Sequence, residues 1–430
     1  MISVSEKANK NYLAKIVKLI TLNKHPNADR LQVAIIDFQN VITGLDAKVG
    51  DLYVYFPVES QINSEFLSAT NSFRDKELNK DKEQAGFFEK NGRVRAVKLR
   101  GEQSCGYIVP IKTVEAFVKK DLSKYVGQEF DMIGDIQLVK KYVVKVSQTP
   151  RTSKQGKKPR ISRLVEGQVH LHIDTENFRK NAYKVKPNDT ISVTYKVHGT
   201  SFWVSNVLVK KPLCPIRKIM KFFRLPVRVD TEYDYVYGSR RVVKNEYETQ
   251  QKQDFYGYDL WGDIKEELKE FIPKGYTLYG ECVGFTKDGK AIQKDYDYGC
   301  VAPQKKIFIY RITITNEDGF VTNLSTLEVE EFCKKFNLNY VPLFYYGEAG
   351  DMFDFREDDP NWTDNFVKAL EKDYNEKYCY ICNNKVPEEG IVIRKESIFQ
   401  FEAYKLKSFS FLERETKQLD KGEENMEDNQ

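Results

Sequence analysis

The chain has 430 residues, 41% of them hydrophobic and 13% aromatic, which is material for two or three cored domains and not for a disordered chain. No run approaches the ~18 apolar residues of a membrane span, and the charged start MISVSEKANKNYLAK lacks the apolar stretch of a secretory signal. Seven thinly spread cysteines make no disulfide framework, so a reduced, cytoplasmic protein with no membrane partner is expected; a net charge of +5 does not by itself mark a nucleic-acid partner.

Residues 1–146 are strand-rich. LQVAIIDF (31–38), DLYVYFPV (51–58), RVRAVKLRG (93–101) and GYIVPI (106–111) alternate apolar with polar side chains, around a polar insertion at 64–84. Several short strands separated by turn signals predict a small β-barrel. Residues 147–163 read as a basic linker, since SQTPRTSKQGKKPR (147–160) cannot build a core. Nine Lys or Arg and no acid lie between Lys140 and Arg163, a run that suits phosphates or plain solvation equally well.

Residues 164–414 mix both kinds of element. TISVTYKV, GYTLYGECVGF, KIFIYRITIT and GIVIRK predict strands; DIKEELKEFI (263–272) and TLEVEEFCKKF (326–336) have helical spacing, the second with Ser325 as N-cap. The irregular alternation, without a repeated βαβ unit, predicts an α+β domain of antiparallel sheets flanked by helices. The basic and apolar stretch CPIRKIMKFFRLPVR (214–228) reads as an insertion helix packed on this domain, with contact to RNA or a membrane surface as the other reading. Residues 415–430 carry six acids against two bases and read as a disordered acidic tail.

The chemistry begins at VTYKVHGTS (193–201), where Lys196 ends a strand and Gly-Thr follows after two residues, so that backbone can approach a phosphate closely. Alone, K-x-x-G more often marks an exposed lysine before a turn. SRR (239–241) offers guanidiniums suited to phosphate. LYGE (278–281) and EEGIVIR (388–394) place Glu281 and Glu389 next to glycines. Tyr310, in FIYRI, is by itself more often core than a base-stacking ring. YKLK (404–407) puts Lys405 and Lys407 on one side of a strand, which repels unless an anion lies between them. The pair His170 and His172 lacks a third metal ligand and reads as structural or surface; Cys379-x-x-Cys382 has no partner motif for zinc.

Lys196, Arg240, Glu281, Tyr310, Glu389 and Lys405/Lys407 together resemble, in order and spacing, motifs I, Ia, III, IIIa, IV and V of the covalent nucleotidyltransferases. KVHGT, AIQKDYDYG (291–299) and FEAYKLKSFSFLERE (401–415) resemble RNA ligases in particular. HPNADRLQVAIID (25–37) and GFFEKNGRVRAVKLRGE (86–102) resemble the RNA ligase 5 group, in which an OB-type module precedes the transferase domain. DNA ligases and capping enzymes usually carry their OB domain after motif V, but here only 23 residues follow Lys407.

The resemblance implies an ATP-dependent RNA ligase acting on RNA or on nicked RNA-containing duplex, and a monomer is expected. It implies AMP carried on Lys196, ribose held by Glu281, adenine stacked on Tyr310, and Mg or Mn on Glu389. Arg240, Lys405 and Lys407 would bind the nucleotide's phosphates. Neighbouring cations would favour the free amine of Lys196. His198 stands where the family often has Asp, so a neutral imidazole orienting the AMP phosphate is expected there in place of a metal contact. Arg93, Arg95, Lys98 and Arg100 are candidates for orienting pyrophosphate from the barrel. A non-catalytic RNA-binding protein with a decayed transferase domain is the alternative.

Overall fold

The computed structural model describes residues 1–144, 163–223, 225–226, 230–244, 256–355 and 359–422. The linker at 147–163 therefore lies outside the described residues except for Arg163.

In the N-terminal module, β1 (Ala14–Lys18), β2 (Leu31–Ile36), β3 (Gln39–Gly44), β4 (Leu52–Phe56) and β5 (Tyr107–Pro110) precede a short helix α1 (Ile111–Val118). β1 and β5 flank β4 antiparallel, while β2 and β3 form a hairpin. Val54, Phe56, Val109, Phe66 and Phe130 fill one core, and Val17, Ala34, Val41 and Tyr55 a second. The alternation in the sequence is the cause, since successive strand residues face opposite sides.

The second module pairs two antiparallel sheets. Its elements are β6 (Thr190–Tyr195), β7 (Thr200–Lys210), α2 (Pro215–Phe222), β8 (Thr231–Ser239), α3 (Leu260–Leu268), β9 (Tyr276–Gly284), β10 (Lys305–Thr315), α4 (Thr326–Lys335), β11 (Leu343–Glu348), α5 (Trp362–Tyr374), β12 (Gly390–Lys395), β13 (Glu402–Lys407) and α6 (Phe409–Asp420). One sheet runs β13-β12-β6-β11, with Glu176–Asn177 added in parallel beside β13; the other runs β8-β7-β9-β10 between two short edge strands. The chain is thus α+β.

Ser325 caps α4 through a reciprocal box with Glu328, as the sequence predicts. α5 buries Trp362, Phe366, Val367 and Leu370 on one stripe, against Ile191, Val193, Ile391 and Ile393 of the first sheet. That packing gives the first sheet a dry face and leaves its other face for the site.

The acidic tail expected from residue 415 begins later. α6 continues to Asp420 because Phe409, Phe411, Glu415, Thr416 and Leu419 are buried, and it packs on the barrel. Phe409 joins Ala96 and Cys105 in one apolar cluster. Arg93, fully buried, donates to Glu59 (2.8 Å) and to the Thr416 carbonyl (2.9 Å), and also meets Asp420. Arg95 lies 3.5 Å from Asp420, and Lys98 sits over the Phe409 ring at 5.6 Å. Arg93 and Arg95 are therefore spent on joining the modules, which corrects their candidacy as pyrophosphate ligands.

Burial drives the Glu59 carboxyl up to about 8, with Arg93 opposing the rise and Glu415 adding to it. A carboxyl raised on folding binds more protons in the folded state. Its contribution to stability is complete below the ordinary value of 4.5 and is lost as pH rises through about 8. Glu59→Gln should therefore flatten the fall in unfolding free energy across that window, as read by urea titration at a series of pH values; an unchanged slope would assign the fall to other groups.

Candidate active site

The site lies in a cleft between the two sheets. On β6, Ile191, Val193 and Tyr195 point into apolar cores, while Ser192, Thr194 and the following Lys196 line the cleft. The Lys196 amide donates to the Gly390 carbonyl (2.9 Å), extending the β6–β12 pairing by one residue. From Ser192 to Lys196 the wall runs roughly 13 Å.

Lys196 and Glu389 are partners: Nζ stands 2.8 Å from Oε2 of Glu389, whose side chain is wholly buried. Lys407 approaches the other carboxylate oxygen at 3.3 Å and also reaches Glu415 at 3.4 Å. The carboxylate of Glu389 therefore stands between Lys196 and Lys407.

Two glycines make this approach possible. A Cβ on Gly390, whose φ is +134°, would lie 2.0 Å from the Leu406 carbonyl oxygen of β13, and one on Gly199 would lie 2.5 Å from that of Cys282. These contacts explain why glycine follows Glu389 and closes the K-x-x-G.

His198 is boxed in. Its ring meets Tyr296 and Phe411 edge to face, each at 4.9 Å, and its amide donates to the Tyr298 hydroxyl at 2.6 Å. Nδ1 is 3.6 Å from Glu389. The AIQKDYDYG loop thus supports the residues after Lys196, and Tyr296 in turn donates to the Pro387 carbonyl (2.7 Å) just before the glutamates.

On the opposite wall, Ser201 donates to Glu281 at 2.6 Å across the β7–β9 pair. Tyr310 lines the cleft, and its hydroxyl is 2.8 Å from Nδ1 of His172. His172 lies 3.9 Å from Asp174, which Arg240 and Arg241 each contact at 2.8 Å. Burial raises the Asp174 carboxyl, but Arg240, Arg241 and His172 outweigh it and hold the group at about 2. His172 thus connects Tyr310 to the Arg240 cluster. Lys405 lines the cleft from β13. At the inner end Arg394 lies on the Phe401 ring (5.4 Å) and donates to the Leu324 carbonyl (2.6 Å).

All eight residues singled out in the sequence therefore fall on this cleft or directly behind it. Ser201, His172, Asp174 and Arg394 were not singled out as site residues. They come from unmarked strand or extended positions, and only the cross-strand register or the chain's return brings them in.

A family model for RNA ligase matches residues 189–409, more than half of the chain. The chain belongs to the RNA ligase family. A second family model, for an OB-fold domain, matches residues 13–111, so an OB-fold precedes the ligase domain and nucleic acid is the partner class of both. Solved structures of Naegleria gruberi RNA ligase are similar in fold. A mutant with AMP and Mn is 16% identical, with a TM-score of 0.56 over 94% of this chain and 98% of that one. Another mutant, with ATP and Mn, is 15% identical, with a TM-score of 0.57 over 94% and 99%. The same ligase with pyrophosphate is 16% identical, with a TM-score of 0.56 over 94% and 99%. No helix among the described residues is long and apolar enough to cross a membrane.

Proposed function

We propose that this family member is an ATP-dependent RNA ligase that carries AMP on Lys196. The observation that carries the reading is the position of Lys196: it lines the cleft beside Tyr310, Glu281, Arg240 and Lys405 and shares a buried carboxylate with Lys407. Val392 and Tyr310 line the cleft where adenine would lie between them, and Glu281, held by Ser201, is placed for the ribose. Arg240, Lys405 and Lys407 would meet phosphate oxygens. His198 would hold the turn after Lys196.

Lys196 loses its proton and its amine forms a bond to the α-phosphorus of ATP, while the bond to the bridging oxygen breaks and pyrophosphate leaves. The oxygen of a 5′-phosphate end then takes AMP from the lysine. Finally a 3′-hydroxyl attacks that 5′-phosphate, a phosphodiester forms and AMP departs. Positioning and charge stabilisation carry phosphoryl-type transfer, so the residues in place suffice without a dedicated base.

No cluster of three or more His, Cys, Asp or Glu among the described residues could hold a metal by itself. A hard cation such as Mg or Mn fits here only in a mixed shell, with Glu389 supplying one carboxylate and water or phosphate supplying the other oxygens. Bound there, it would supply charge neutralisation on the phosphates.

The test is incubation with α-labelled ATP and Mg or Mn, then sealing of nicked duplexes with RNA or DNA on each side in turn. Label should appear on the protein, and a ribonucleotide 3′-hydroxyl strand should seal faster than a DNA one. Faster sealing of an all-DNA nick would reassign the substrate to DNA, and absence of label would support the non-catalytic alternative.

A further inference from the structure

The basic and apolar segment after β7 does not pack as the sequence predicts. In α2 and its continuation, Ile216 is 71% exposed, Ile219 59%, Phe222 82% and Phe223 66%. Ile216, Ile219, Met220 and Phe223 stand at i, i+3, i+4 and i+7, so they form one apolar stripe. Residues 214–228 also carry five Lys or Arg and no acid. Arg217 is tied to Asp230 at 2.6 Å, which anchors the polar side to the chain returning into β8.

We propose that this helix is a docking surface for an anionic phospholipid bilayer. A stripe of Ile and Phe in water has nothing to gain from phosphate backbones, which argues against nucleic acid as its occupant. The acid-free run of five bases in the same segment argues against an ordinary apolar protein groove. An interface that is apolar below and negatively charged above matches an exposed apolar stripe within a basic segment lying flat. Such a helix does not span the bilayer, so the absence of a spanning helix among the described residues is no objection.

The surface is remote from the chemistry. β7 and β8 pair from Phe202–Ser239, beside the cleft, to Lys210–Thr231, beside α2. Roughly 27 Å of strand separates the two ends, so docking leaves the cleft open to nucleic acid.

The experiment is flotation of the full chain with phosphatidylcholine vesicles and with phosphatidylserine-rich vesicles, for wild type and for Ile219→Asp/Phe223→Asp. Wild type should float with the anionic vesicles, far less with the neutral ones, and less at high salt. The double variant should bind the anionic vesicles about a hundredfold more weakly, since two buried apolar side chains are lost. Its protein–AMP formation and melting temperature should match wild type, which shows that the fold is intact. Equal binding to both vesicle types, or unchanged binding of the variant, would overturn the proposal. Failure of wild type to float would also overturn it; the segment would then be assigned to nucleic acid if the variant lost affinity for nicked duplex, or to a second copy if the variant abolished self-association.

Discussion

Lys196→Ala should abolish protein–AMP formation from α-labelled ATP. Among the described residues, the other lysines of the cleft are held elsewhere: Lys407 lies across Glu389, and Lys405 lines the cleft from β13. Lys196→Arg should be equally inactive, because a guanidinium fills the space and keeps the ion pair with Glu389 but stays protonated and cannot attack. The arginine variant also separates chemistry from folding, since alanine leaves a buried carboxylate short of one partner. Both variants should still seal a pre-adenylylated nick to a measurable extent, because that step does not need the lysyl adduct. Label on either variant equal to wild type would remove Lys196 from its role and the proposed mechanism with it.

The second large effect is expected at Arg93→Ala. This guanidinium is fully buried and holds Glu59, the Thr416 carbonyl and Asp420. Removing it leaves the buried Glu59 carboxyl and the Thr416 carbonyl without their donor, at a cost of about 1–3 kcal/mol each. The damage should extend beyond stability. α6 carries Glu415, which pairs with Lys407, and Phe411, which packs on His198. A loosened α6 should therefore slow protein–AMP formation at temperatures where the protein is still folded by circular dichroism. Arg93→Lys should recover part of the stability, because one ion pair can be re-formed but not the forked geometry. If Arg93→Ala melts lower yet labels at the wild-type rate below its transition, the latch is structural only.

Much of this was legible in the sequence. Strand periodicity marked β2, β4, β6, β9, β10 and β12, because each alternates or runs apolar between turn signals. The motif residues converged because their glycines report real constraints, as the 2.0 Å clearance at Gly390 shows. What was not legible depends on contacts between distant segments. His172 looked idle because nothing near it in sequence announces Tyr310, 138 residues away. Arg93 looked like a phosphate ligand because a cluster of basic residues does not reveal that Asp420 and Glu59 will neutralise one of them. α6 was read as a tail from residue 415 because its acids dominate the composition, although Leu419 and Thr416 face the barrel and keep the helix wound. The apolar stripe of α2 was assigned to a core because periodicity states that a face exists, not what covers it.

The shared carboxylate of Glu389 has one more consequence. A lysine that can attack phosphorus is also open to stray electrophiles such as acyl phosphates, reactive aldehydes and sugars. With Glu389 drawn up to 2.8 Å and only 14% of the Lys196 side chain exposed, the amine has little open approach from solvent. In the proposed mechanism the same carboxylate would thus also limit accidental chemistry on the unloaded protein.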